Sequence, residues 1–244
     1  MGKASIVAFA GAVAFLYAGP VLAQDVSITL GDDGSLATRS IQLFVLVTLL
    51  SIVPGLAIMI TCFPFMVTVL SILRQGIGLQ QSPPNMLIIS LALFLTYFVM
   101  EPVFLTAWAD GVDPLLNGLL SIEEAFVEVM DPFRSFMAGR IAPDTFEELA
   151  NLRPELASDV SIEASPLSVL IPSFLLSEIE RAFQIGFLVF LPFLIIDLIV
   201  AAVLMSMGMM MVPPAIVSLP FKLAFFVVAD GWSLIAGSLV RSYF

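Results

Sequence analysis

The sequence predicts an all-α polytopic membrane protein built of helical hairpins, and three observations carry that reading. Of the 244 residues 60% are hydrophobic and only 12% charged. With a mean hydropathy of +1.08, that is far more apolar than a soluble domain. Uncharged runs long enough to cross a bilayer recur along the chain. The third observation is the stretch Phe183 to Lys222. It is apolar from Ile185, carries the single acid Asp197, and then packs five methionines into seven residues (Met205, Met207, Met209, Met210 and Met211). Pro213-Pro214 follows, and a second apolar run opens with the single base Lys222. An apolar hairpin with a methionine tip and one charge on each arm reads as the wall and constriction of a membrane pore.

The net charge of −11 argues against nucleic acid and against charge-driven binding to anionic lipid. Twelve of the 20 acids lie between Asp110 and Glu163, against only Arg134, Arg140 and Arg153 there. The single cysteine, Cys62, allows no internal disulfide. Histidine is absent, which removes the commonest metal ligand and general base. No cofactor and no metal site are expected.

Taken in order, residues 1–23 have the form of a signal peptide. Lys3 supplies the positive start, Ala4 to Ala18 the apolar core, and Val21-Leu22-Ala23 the small residues before a cut at Gln24. A retained first membrane helix is the alternative, but the run is short for one and Gly19-Pro20 ends it. Residues 24–40 form a polar periplasmic segment. Residues 41–108 make the first hydrophobic helical pair. Ile41 to Cys62 is uncharged, with Pro54-Gly55 inside it, and Phe63 to Leu73 ends at Arg74. A connection rich in Gly and Pro follows, and Met86 to Trp108 is the second span, with Trp108 as an interfacial anchor.

Residues 109–165 form an acidic helical insert. Ser121 and Glu124 have capping-box spacing, and Asp131-Pro132 reads as a further helix start. Phe126, Val129, Met130, Phe133, Phe136 and Met137 recur at helical spacing, and Asp144 and Glu147 open another short helix. Its one apolar face calls for packing against copies of itself or a partner. Residues 166–244 are the second hydrophobic hairpin with the methionine-rich tip, interrupted at Ser177 to Arg181. Ala215 to Leu239 is its last span. A cleaved signal and four crossings put both mature termini and the insert in the periplasm.

A charge at membrane depth normally faces protein or water, so Asp197 and Lys222 are natural partners. In ideal helices running up to the prolines, Asp197 would stand about 24 Å from the tip and Lys222 about 12 Å. Staggered neighbouring subunits, or a non-helical tip that shortens the first arm, would bring them level. Glu178 and Arg181 sit at i,i+3 and can pair; with Glu180 and Gln184 they form a polar collar. Methionine is unbranched and polarizable, so a ring of such side chains could seal a pore against ions and still yield to a polypeptide.

Several strings then resemble the FliP family (FliP/SctR, subunits of type III secretion export gates). They include Phe183-Gln-Ile-Gly-Phe187, Pro192 to Asp197, Val203 to Pro214, Leu219-Pro-Phe-Lys222 and Asp230 to Val240. In the first half, Leu73-Arg-Gln75 and Pro83-Pro-Asn85 through Leu91 to Thr96 match as well. The resemblance covers the chain from about Ile41 onward and is weakest in the insert. It implies a core subunit of the flagellar type III protein export gate in the inner membrane, at the flagellar basal body. Five copies would associate with FliQ-like and FliR-like subunits into a helical, pore-containing cone for unfolded flagellar proteins. The methionines would form the gasket, and Glu178, Asp197 and Lys222 would serve intersubunit contacts. Two departures stand out. Pro64-Phe65 replaces the family's Thr-Arg, and Glu180-Arg181 stands where a lysine is usual at the first position.

The injectisome counterpart of virulence secretion shares these motifs and is the nearest rival. An intramembrane aspartyl protease could be drawn from Asp197 and Asp230, but no glycine-framed aspartate motif accompanies them. A small transporter would call for an inverted repeat, and the insert divides two unlike halves. No phosphate-binding loop with lysine occurs, so ATP hydrolysis is not expected.

Overall fold

The computed structural model of the chain describes residues 36–79, 83–153, 161–209 and 211–244. The signal peptide expected over 1–23 and most of the segment 24–40 lie outside the described residues. The chain divides into two compact units, Met1–Leu50 and Ser51–Phe244. The described part of the first is the opening of helix α1 (Leu36–Met59), whose apolar side chains from Ile41 to Leu50 are exposed.

The second unit holds the end of α1 and eight further α-helices among the described residues: α2 (Phe63–Ile77), α3 (Asn85–Ala107), α4 (Asp113–Leu116), α5 (Ile122–Ala138), α6 (Pro143–Asn151), α7 (Leu167–Ser206), α8 (Pro214–Val228) and α9 (Gly231–Arg241). No strand occurs among the described residues. Among the described residues three helical stretches are long and apolar enough to cross a membrane: Arg39–Met59, Asn85–Leu116 and Leu167–Ser206. The pair α8 and α9, bent by 61°, makes a fourth if counted as one broken span.

The short helix α2 is the centre. Pro64 occupies its first turn, where a missing N–H costs nothing, and Gly78 in the left-handed conformation closes its other end. Phe65, Met66, Val69, Leu70 and Leu73 are wholly buried against α7, α3 and α8. Gly76 faces the Phe193 ring of α7, and Gly186 of α7 faces Ile72, so the two backbones approach where no Cβ intervenes. The helix runs on past Arg74 to Ile77, beyond the end at Leu73 that composition suggested. The departure Pro64-Phe65 fits this core, since Phe65 meets Tyr243 edge-on with centroids 5.5 Å apart.

Three expected boundaries fall elsewhere. Helix α7 runs unbroken for 40 residues through Ser177 to Arg181; the collar does not interrupt it, because Glu178 is paired with Arg140, Tyr243 and Arg181 while Glu180 stays exposed. The dipeptide Asp131-Pro132 starts no helix but lies inside α5. The hydrogen bond Pro132 forfeits is that to the carbonyl of Glu128, an exposed residue. The last span is broken at Asp230, whose φ of 47° is left-handed, and a Cβ on Gly231 would overlap the Phe226 ring.

Part of the insert's apolar face is covered within the chain itself, while Phe126 remains exposed. Phe133 packs against α3, while Met137, Ile141 and Phe146 cluster with Val169, Leu170 and Phe174 of α7. Arg134 donates to the carbonyls of Glu163 (2.9 Å) and Ser165 (2.5 Å), fastening the return to α7. At Ser121 the capping box is complete, with Glu124 N–H donating to Ser121 Oγ and Ser121 N–H to the Glu124 carboxylate. Between α3 and α4 the backbone widens into a π-helical turn, Trp108–Val112, with Gly111 against α5.

Two outcomes follow from this packing. A Cβ at Gly111 would lie 2.8 Å from the Val129 amide nitrogen and 3.1 Å from the Ala125 carbonyl oxygen. Gly111→Ala should therefore cost about 1–3 kcal/mol, read as a lowered thermal midpoint, whereas Gly55→Ala, with open space around it, should not. The bonds to the Ser121 backbone and hydroxyl hold the Glu124 carboxyl below its usual value of 4.5. A lowered carboxyl stabilises above that value and loses its contribution as pH falls through the folded-state value. The capped end of α5 should accordingly fray in acid, measured by amide exchange, and Glu124→Gln should remove that pH dependence.

Candidate functional site: a methionine tip and two buried polar clusters on one helix

The tip is built by backbone stops. Helix α7 ends at Ser206, and Gly208 follows in the left-handed conformation (φ 75°). The Met209 N–H donates to the Leu204 carbonyl and the Gly208 N–H to that of Met205, both at 3.0 Å, the two bonds of a Schellman stop. Pro213 is extended, and Pro214 opens α8 in its first turn. Met205 lies in the last turn of α7, and Met207, Met209 and Met211 lie in the loop; all four are exposed, Met211 at 96%. Met210 lies outside the described residues. An apolar cleft of about 390 Å³, lined by Ile196, Ile199, Val203, Val217 and Phe221 among others, opens beside this tip.

Because the helix stops at Ser206 rather than at the prolines, the two arms become nearly equal. Asp197 stands nine residues before Ser206 and Lys222 eight after Pro214, rises of about 13 and 12 Å. The pair therefore closes within one chain, Lys222 Nζ lying 2.6 Å from Asp197 Oδ2. Ser218 Oγ donates to the other carboxylate oxygen at 2.5 Å. Lys222 is buried, and Asp197 keeps about a third of its side chain exposed. A Cβ on Gly78 would lie 3.8 Å from Lys222 Nζ, which puts the ammonium at the carbonyl end of α2, the end that favours a cation. Asp197 is committed to these two donors.

The second cluster surrounds Glu178, which is fully buried. Arg140 Nε donates to its Oε1 at 3.0 Å, Arg181 reaches the same oxygen at 3.4 Å, and the Tyr243 hydroxyl donates to Oε2. Arg140 also lies 4.0 Å from the centre of the Tyr243 ring and donates to the Ser242 carbonyl at 2.8 Å. Burial, and then the adjacent carboxylate, pushes the Tyr243 phenol up, so it remains the donor. Glu180 takes no part; it accepts from Gln184 at 3.0 Å on the exposed side.

The pairing of Glu178 with Arg181 was legible at i,i+3. Arg140 and Tyr243 were not assigned. Arg140 left one signal, as a rare base in an acidic insert, and Tyr243 left none. Asp230, the other half of the protease alternative, sits at the bend between α8 and α9. Among the described residues no group of three metal-ligating side chains converges.

Removing one partner of a buried pair leaves the other uncompensated, whereas removing both does not. Lys222→Met alone should therefore destabilise the hairpin more than Lys222→Met combined with Asp197→Asn. The coupling should be about 1–3 kcal/mol in a double-mutant cycle of thermal unfolding, and simple additivity would show the pair to be idle.

Residues 46–239 match the model of the FliP family. The chain is 49% identical to the flagellar biosynthetic protein FliP of Rhizobium meliloti (strain 1021) over 86% of either chain. It is 47% identical to that of Caulobacter vibrioides, over 99% of this chain and 91% of the relative. Against that of Bacillus subtilis (strain 168) the identity is 41%, over 89% and 98%. The matched region holds α2 to α8 entire, both polar clusters up to Lys222 and the methionine tip, and on that ground the chain belongs to the FliP family.

Proposed function

We propose that this chain is a core subunit of the flagellar type III protein export gate in the bacterial inner membrane, a structural and transport component with no catalytic step. Copies of it, five by family resemblance, join FliQ-like and FliR-like subunits around a passage for unfolded flagellar proteins. The observation that carries this reading is the tip. Four methionines stand exposed on a rigidly stopped turn, and an ion pair with its lysine buried joins the two arms below that turn.

Thioether side chains bend at three bonds and adapt to irregular surfaces. Several of them meeting around an axis exclude hydrated ions, yet part for a polypeptide. Met205, Met207, Met209, Met210 and Met211 form that gasket. Asp197 and Lys222, with Glu178 and Arg181, act by holding the shape of each subunit beneath it. The apolar faces of α1 and α3 meet lipid or neighbouring subunits, and the insert and mature termini face the periplasm. The names of the relatives favour the flagellar gate over its injectisome counterpart, so a knockout should lose motility.

Deleting Met209 to Met211 should leave complex assembly intact and make cells leak ions, measured by membrane depolarisation. A tight membrane in cells carrying the deletion would refute the gasket. Imaging the purified complex counts the copies directly.

A further inference from the structure

We infer that Ser242-Tyr243 is a strap that fastens helix α6 to the long helix α7, and that it can be undone without disturbing the tip. The proposal rests on contacts within one chain and stands whether or not the methionines seal a pore.

The turn between α5 and α6 touches α7 both through the buried Ile141, which packs with Val169, Leu170 and Phe174, and through polar groups. The Ala142 N–H donates to Ser177 Oγ at 3.0 Å, and Arg140 reaches Glu178. Glu178 and Arg181 lie one turn apart on α7, and Arg181 also donates to the Arg140 carbonyl at 3.4 Å. Residues 242 and 243 supply what completes the ring. The Ser242 carbonyl accepts from Arg140 Nη1, and the Tyr243 hydroxyl donates to Glu178 Oε2. The Tyr243 ring lies under the Arg140 guanidinium and stacks on Phe136 with centroids 6.0 Å apart.

Without this strap Arg140 would lose two of its contacts and Glu178 one of its three donors. A buried carboxylate short of a donor is costly, and opening the Arg140 turn to water is the least disruptive relief. That opening would loosen the start of α6, which Phe146 otherwise holds on α7 by packing with Val169, Leu170 and Phe174. Helix α5 would stay in place through its own packing on α3. The consequence would be local because the Asp197–Lys222 pair lies 19 residues further along α7 and shares no side chain with the cluster.

The test is amide hydrogen exchange on the full chain purified in detergent. Tyr243→Phe keeps the ring and removes the donor, Tyr243→Ala removes both, and Phe244→Ala, at an 80% exposed residue, serves as the control. The strap predicts that exchange in Pro143–Asn151 speeds up about tenfold in Tyr243→Phe and further in Tyr243→Ala. Amides of Pro214–Val228 should keep their original rate, and Phe244→Ala should change neither. Unchanged exchange in α6 overturns the proposal, as does equal acceleration in both segments. Should Tyr243→Ala not fold, the Tyr243→Phe comparison decides alone.

Discussion

Everything in the larger unit depends on the burial of α2 along α7. A helix of 15 residues is too short to cross a bilayer, yet α2 carries the most completely buried side chains of the chain. It works as a wedge against which longer helices are aligned. The glycines at 76 and 186 set how closely α2 and α7 approach, and α3 and α8 close the remaining sides. In a membrane, where lipid offers no hydrophobic gain for helix association, close backbone approach of this kind is what dispersion forces reward. The apolar faces of α1, α3 and α7 that stay exposed suit surroundings of lipid rather than water.

On that frame the polar residues come in two clusters at different heights of α7. The Glu178 cluster joins α7 to the insert and to residues 242–243; the Asp197 cluster joins it to α8. Each draws partners from far along the chain, and in the Glu178 cluster the buried Arg140 Nη2 finds no hydrogen-bond partner among the described residues. Neither has spare acids or bases arranged for proton transfer. Their chemistry is that of fastening one helix to the next.

Local patterns in the sequence located what local physics decides. The Ser121 capping box, the short helix bearing Phe146, and a turn between Met205 and Pro214 all follow from rules that operate over a few residues. What could not be read depended on distant partners. The collar at Ser177 to Arg181 looks like a break until Arg140, 38 residues earlier, and Tyr243, 65 residues later than Glu178, are brought to it. The covered face of the insert was illegible for the same reason, since Val169, Leu170 and Phe174 belong to another helix. At Asp230 an aspartate takes a conformation usually left to glycine; the dipeptide Asp230-Gly231 is a turn signal, but the apolar runs on either side of it read as one span. The level pairing of Asp197 with Lys222 turned on where α7 stops. Gly208 held that information, although the eye goes first to Pro213-Pro214.

The length of α7 has a geometric consequence. Forty residues make a rod of about 60 Å, roughly twice the thickness of the hydrocarbon layer. From Glu178 to Ser206 the rod extends about 42 Å. That segment alone is longer than the layer is thick, so Glu178 and the methionine tip cannot both lie within the hydrocarbon around an upright helix. The polar insert joins the rod near one end, and the exposed thioethers stand at the other.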